Sequence, residues 1–119
     1  MKKFFKKMAR RIVTIYANRT YRQAVKVAES WYQHTGRRYY VIENPFNEKE
    51  LVAIDTKAFL DMRHKLGIRS KDCTISYLMK SCYYYTNSKT DGQKMSPRDL
   101  VIRRLAFVRE VMKRANLLD

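Results

Sequence analysis

Glycine and proline are scarce, with three of the first and two of the second in 119 residues. Collagen-like, linker-rich and many-turned all-β chains are thereby excluded. Cysteine is limited to Cys73 and Cys82, too few for an exported domain stapled by disulfides. Placed on one helix at about 1.5 Å rise per residue, the two would stand too far apart to bond, so reduced thiols are expected. No apolar run approaches the roughly 20 residues of a membrane span. The stretch behind the basic start, Ile12 to Asn18, has seven uncharged residues and closes at Arg19. Neither a cleavable signal nor a transmembrane segment is expected. Acid is short as well: 11 Asp+Glu stand against 26 Lys+Arg, for a net charge of +15. No carboxylate occurs before Glu29.

Catalytic signatures are missing too. There is no G-x-G-x-x-G, no G-x-S-x-G, and Ser88-Lys89-Thr90-Asp91-Gly92 lacks the glycine and Lys-Ser/Thr arrangement of a phosphate loop. His34, His64, Cys73 and Cys82 are separated by 29, 8 and 8 residues, without the close pairs that zinc sites show. No metal and no cofactor is expected. One enzymatic alternative uses no visible motif: a small metal-independent ribonuclease working with Arg37, Arg38, Tyr39, Tyr40, His64 and Tyr83. The same tyrosines are equally suited to packing a hairpin.

What is present is a folded composition, 45% hydrophobic and 31% charged, at a length that fits one domain. Residues 3–18 read as an amphipathic helix. At about 100° per residue, Phe4, Phe5, Met8, Ile12, Ile15 and Tyr16 share one arc, and Lys3, Lys6, Lys7, Arg10 and Arg11 lie opposite. Thr20-Tyr21-Arg22-Gln23 matches a capping box for a second helix with a Tyr21, Ala24, Val25, Ala28, Trp31, Tyr32 stripe, ended by Gly36. Whether the two helices are continuous is left open.

Arg37 to Glu43 and Glu50 to Asp55 read as a hairpin about an Asn44-Pro45 turn. A third helix is capped by Asp55 or Thr56 and stops at Gly67. A fourth, capped by Ser70, runs to about Ser81, with a short third strand at Tyr83-Tyr84-Tyr85-Thr86 as an alternative to further helix. Ser96-Pro97 starts a last helix to about Ala115, whose expected core face is Leu100, Val101, Leu105, Phe107, Val108, Val111 and Met112. Arg104 falls inside that arc. It either snorkels outward or meets Glu43 or Asp61. The fold class is α+β: about five helices packed on one face of a two- or three-stranded antiparallel sheet. Residues 1–19 form a basic helix, and 20–119 the compact remainder of a single domain.

So much positive charge on a small folded chain implies a polyanion or an acidic surface. Lys2, Lys3, Lys6, Lys7, Arg10 and Arg11 form a ridge that could follow phosphates. Arg103 and Lys113, with Arg98, Arg109 and Arg114, place more charge on the last helix. Arg37 and Arg38 beside Tyr39 and Tyr40 have the types that hold single strands. The expected partner is nucleic acid, DNA before RNA, or an acidic protein of a larger assembly. The apolar arc of Phe4, Phe5, Met8, Ile12 and Ile15 could lie in a partner's groove or pack on the protein's own core. A membrane surface is the less favoured use, and a homo-oligomer is left open. A sequence-nonspecific DNA- or RNA-binding regulator is the other non-enzymatic alternative.

The run Trp31-Tyr32-Gln33-His34-Thr35-Gly36-Arg37-Arg38-Tyr39-Tyr40-Val41-Ile42, then Leu51-Val52-Ala53-Ile54-Asp55-Thr56-Lys57-Ala58-Phe59, resembles small basic proteins of gut-bacterial tailed phages, the crAss-like group included. Tyr83-Tyr84-Tyr85-Thr86 and Ser96-Pro97 are similar too. The resemblance covers residues 24–110 in outline and brings no catalytic residues. It implies a phage-encoded accessory or virion component, located in the host cytoplasm, the virion or both.

Overall fold

The computed structural model describes residues 2–67, 74–90 and 92–117, with the side chains of Lys2, Phe4, Glu48 and Lys49 left aside. The order is α1 (Lys2–Thr35), β1 (Tyr40–Asn44), β2 (Asn47–Ile54), α2 (Thr56–Lys65), α3 (Ile75–Ser81), β3 (Tyr84–Tyr85) and α4 (Pro97–Arg114). The class is α+β, with four helices among the described residues rather than five. The difference arises at the N-terminus, where the two expected helices are one.

No glycine or proline interrupts Lys2–Thr35. The side chains that could cap a new start bond backward instead. The Thr14 hydroxyl donates to the Arg10 carbonyl at 2.7 Å, and the Asn18 amide to the Thr14 carbonyl at 3.0 Å. Such back-bonding spends these side chains on carbonyls within the helix rather than on the free amides of a new start, and Thr20 lies inside the helix instead of capping it. At 1.5 Å per residue, 34 residues span about 51 Å, which accounts for the long axis of a 54 × 31 × 21 Å molecule. The helix stops at Gly36, whose φ of +75° suits a residue without Cβ.

β1 is the central strand of a sheet ordered β2-β1-β3, antiparallel on both sides. The hairpin turns on Pro45-Phe46 alone, with Asn44 Oδ1 accepting from the Phe46 amide at 2.9 Å and a register shift between Glu43 and Asn44. β2 therefore begins at Asn47, earlier than expected. At Tyr83–Thr86 the short third strand is the alternative realised. The Tyr83 amide donates to the Val41 carbonyl, and Thr86 exchanges bonds with Tyr39 through both its backbone and its hydroxyl.

Helices cover both faces of the sheet, not one. Tyr39 and Val41 pack on Ala24 and Ala28 of α1, whereas Tyr40 joins Phe59, Leu78, Cys82, Tyr85 and Met95 on the other side. Alternation along β1 delivers apolar side chains to each face. A third cluster joins α1 to α4 through Ala17, Tyr21, Phe107 and Val108, with Tyr83 edge-on to Phe107 at 5.2 Å.

Two of the expected caps are realised. Asp55 accepts from the Ala58 amide and Ser96 from the Asp99 amide, with Pro97 in the first turn of α4. α3 is capped by Thr74. Ser70, the expected cap, and Cys73 lie outside the described residues. Arg104 resolves in neither expected way with a carboxylate: it donates to Asn18 Oδ1 at 2.7 Å and so ties α4 to α1. Val101 and Leu105, expected in the core, are about half exposed. The α1 contact uses the Arg104–Val108 flank of α4 and leaves them outside.

Candidate functional site

The residues singled out by charge do not share one site once folded. Arg38 and Arg103 are committed internally. Arg38 is 8% exposed. Its guanidinium donates to the carbonyls of Thr86 and Gln93 and stands 5.4 Å from the Tyr85 ring centre. Arg103 has a side chain 15% exposed; it pairs with Asp99 at 3.1 Å and stands 5.2 Å from the same ring. Its Nη1 donates at 2.7 Å to the carbonyls of both Met79 and Cys82. These carbonyls belong to the C-terminal end of α3, so Arg103 is the cap of that helix. Both arginines take part in the architecture rather than projecting from it.

A second set is gathered at one end of the molecule. Lys3, Lys6, Lys7 and Arg10 line an open concavity of about 560 Å³. Arg10 Nε donates to the Leu117 carbonyl at 2.7 Å. That bond brings the basic face of α1 against the C-terminal end of α4, where unsatisfied carbonyls carry partial negative charge. Lys113, exposed in the last turn of α4, lies at the same end. Arg11 is exposed on another side of α1. Lys2, like Phe4, has a side chain outside the described residues.

Among the described residues, the side chains of the first helix's apolar arc are largely exposed rather than buried in the core. Among the described residues of α1, none before Ala17 is buried. Phe5 is 63% exposed, Met8 46%, Ile12 61% and Ile15 62%. The half-buried positions are Lys6, Ala9, Arg10, Val13 and Thr14, mostly on the basic side. Hydropathy alone suggests the reverse orientation. The physical reason is the register set further along, where Ala17, Tyr21, Ala24 and Ala28 must face α4 and the sheet. A rigid helix then fixes the direction of every earlier side chain.

Arg37 lies elsewhere. It pairs with Asp55 at 3.3 Å and lines a cleft of about 660 Å³ with Lys57, Asp61, Ser88 and Thr90. Sequence reading missed this cleft, since its walls come from segments up to 53 positions apart and share no local pattern. The ribonuclease residues are not assembled there. Arg37, Arg38 and Tyr40 line it, but Tyr39, Tyr83 and His64 do not. Tyr83 donates to Glu43 Oε1 at 2.9 Å, and Glu43 also holds Arg114 at 2.7 Å.

Burial sets the titration of the remaining reactive types. It pushes the Cys82 thiol up to about 11, against the pull of Arg103. The hydroxyls of Tyr21, Tyr83 and Tyr84 are raised above the ordinary tyrosine range by burial first. Hydrogen bonds to Glu43 and Glu29 then add to the effect for Tyr83 and Tyr84. None is poised as a nucleophile or base near neutral pH. Among the described residues no group of three His, Cys, Asp or Glu stands close enough to hold a metal ion, and no helix is long and apolar enough to cross a membrane. The chain matches no protein-family model, no curated protein and no solved structure.

Proposed function

We propose that this is a small non-enzymatic accessory or structural protein that holds a polyanion, DNA in the first place, at the N-terminal end of α1. The observation that carries the reading is the convergence of Lys3, Lys6, Lys7 and Arg10 on one concavity, in a stretch without a carboxylate before Glu29. Four cations within one turn or two of each other match a phosphate backbone, and their own stretch of helix contributes no acid. Binding through such a face releases condensed counterions and carries little sequence preference. The resemblance to basic phage proteins supports placing it in a phage-type assembly, in the infected cell or the virion.

The test is salt-dependent retention of duplex DNA. Each phosphate that goes unneutralised lowers the slope of log K against log salt by about 0.9. Replacing Lys3, Lys6 and Lys7 with Gln, and leaving Arg10 to its bond with Leu117, should reduce the slope by about 2 to 3 while the melting temperature holds. An unchanged slope would remove α1 from the interface.

A further inference from the structure

The outward side of α1 has its own pattern. Phe5, Met8, Ile12 and Ile15 follow one another at intervals of three, four and three, the a/d spacing of a helix that meets another helix. All four are about half exposed or more, and Tyr16 flanks them at 53%. Together they present roughly 500 Å² of apolar side chain, at the upper end of what a monomer ordinarily leaves in water. Helical geometry sets this row about opposite the Arg10, Ala17, Tyr21 row that faces the body, so a second helix could lie along it on the side away from α4 and the sheet.

Charge selects the occupant. The next two a/d positions after Ile15 are Arg19 and Arg22, both exposed. A second copy in parallel register would place Arg19 on Arg19, and an antiparallel copy would bring Arg19 to the partner's basic N-terminal turn. Both arrangements stack like charge between chains of net charge +15. A membrane surface wants cations along both borders of the apolar arc, whereas Arg11 flanks the row on one side only, Ala9, Tyr16 and Thr20 flank it on the other, and Lys3, Lys6 and Arg10 lie on the far side. Nucleic acid has no use for an aliphatic row.

We infer that this seam docks an amphipathic helix from an acidic partner protein. That helix carries aliphatic a/d residues across two heptads and carboxylates where it passes Arg19 and Arg22. The inference is independent of the polyanion site, which lies on the opposite face of the same helix. Together the two faces would make α1 a bridge between a phosphate polymer and a protein.

The experiment uses the full-length chain and synthetic helical peptides of about three heptads. All have Leu at a and d in two heptads, and the third bears Glu, Gln or Lys at those positions. The Glu peptide should bind, the Gln peptide at least about tenfold more weakly, and the Lys peptide not at all. Ile12→Glu, and as a milder change Ile12→Ser, should weaken the Glu peptide at least about tenfold. The DNA salt slope should remain unchanged. Arg19→Glu with Arg22→Glu should exchange the preference to the Lys peptide. Equal binding of the three peptides, or none, overturns the inference. So does a dimer in sedimentation equilibrium that Ile12→Glu dissolves, or Ile12-dependent co-sedimentation with anionic vesicles.

Discussion

Replacing Arg103 with Met tests whether this arginine belongs to the fold. Methionine keeps most of the stem and removes the guanidinium. Two hydrogen bonds of 2.7 Å to the Met79 and Cys82 carbonyls disappear, together with the Asp99 pair and the stacking on Tyr85. A bond from a charged donor contributes about 1.5–3 kcal/mol. The half-exposed pair with Asp99 adds less than about 1 kcal/mol. Water reaches part of the vacated site, since the side chain is 15% exposed, and recovers some of the loss. The net expectation is a destabilisation of about 3 kcal/mol, or roughly 10 °C in melting temperature for a domain of this size. Urea unfolding followed by circular dichroism, with an unchanged m value, measures it. Arg103→Lys should recover about half, because one ammonium cannot reproduce the fork. A loss below about 1 kcal/mol would refute the capping argument and return Arg103 to the pool of surface cations.

Three further outcomes are expected. Gly36→Ala should cost about 1–2 kcal/mol, because a Cβ at φ +75° is strained and would stand 2.8 Å from the Lys89 Cδ; chemical denaturation reads it. Thr86→Val should cost about 1–3 kcal/mol, since the hydroxyl of this fully buried residue accepts from the Tyr39 amide and a methyl leaves that donor unpaired. Stability should fall as pH rises past 9, where an unfolded thiol ionises while the Cys82 thiol keeps its proton to about 11. It should fall faster beyond 10 as Tyr21, Tyr83 and Tyr84 hold protons that the unfolded chain gives up. A flat melting temperature across that range would contradict the burial of these groups.

Local chemistry was legible from the residues alone. Gly36 as the end of the first helical region, Asp55 and Ser96 as caps, and the strand character of Tyr40 to Ile42 each depend on interactions within a few positions. The cationic cluster was legible for the same reason, since Lys3, Lys6, Lys7 and Arg10 share a helix face by spacing. The fates of Arg38 and Arg103 were not. Their partners, Thr86, Gln93, Met79 and Cys82, lie between 21 and 55 positions away, and nothing local distinguishes a buried arginine from a solvated one.

Local residue chemistry specified the α+β class, the Asp55 and Ser96 caps, the Gly36 stop and the concentration of positive charge at the N-terminus. These follow from backbone propensity and helical periodicity, which act over a turn or two. Which side of the first helix meets the body was settled by long-range packing. The small-residue row of Ala17, Ala24 and Ala28, with Tyr21, lets α1 approach α4 and the sheet closely. The rigidity of an uninterrupted helix then turns the earlier apolar row toward solvent. Local hydrophobicity favours burying that row, but close packing in the second half of the helix sets the rotation of the whole.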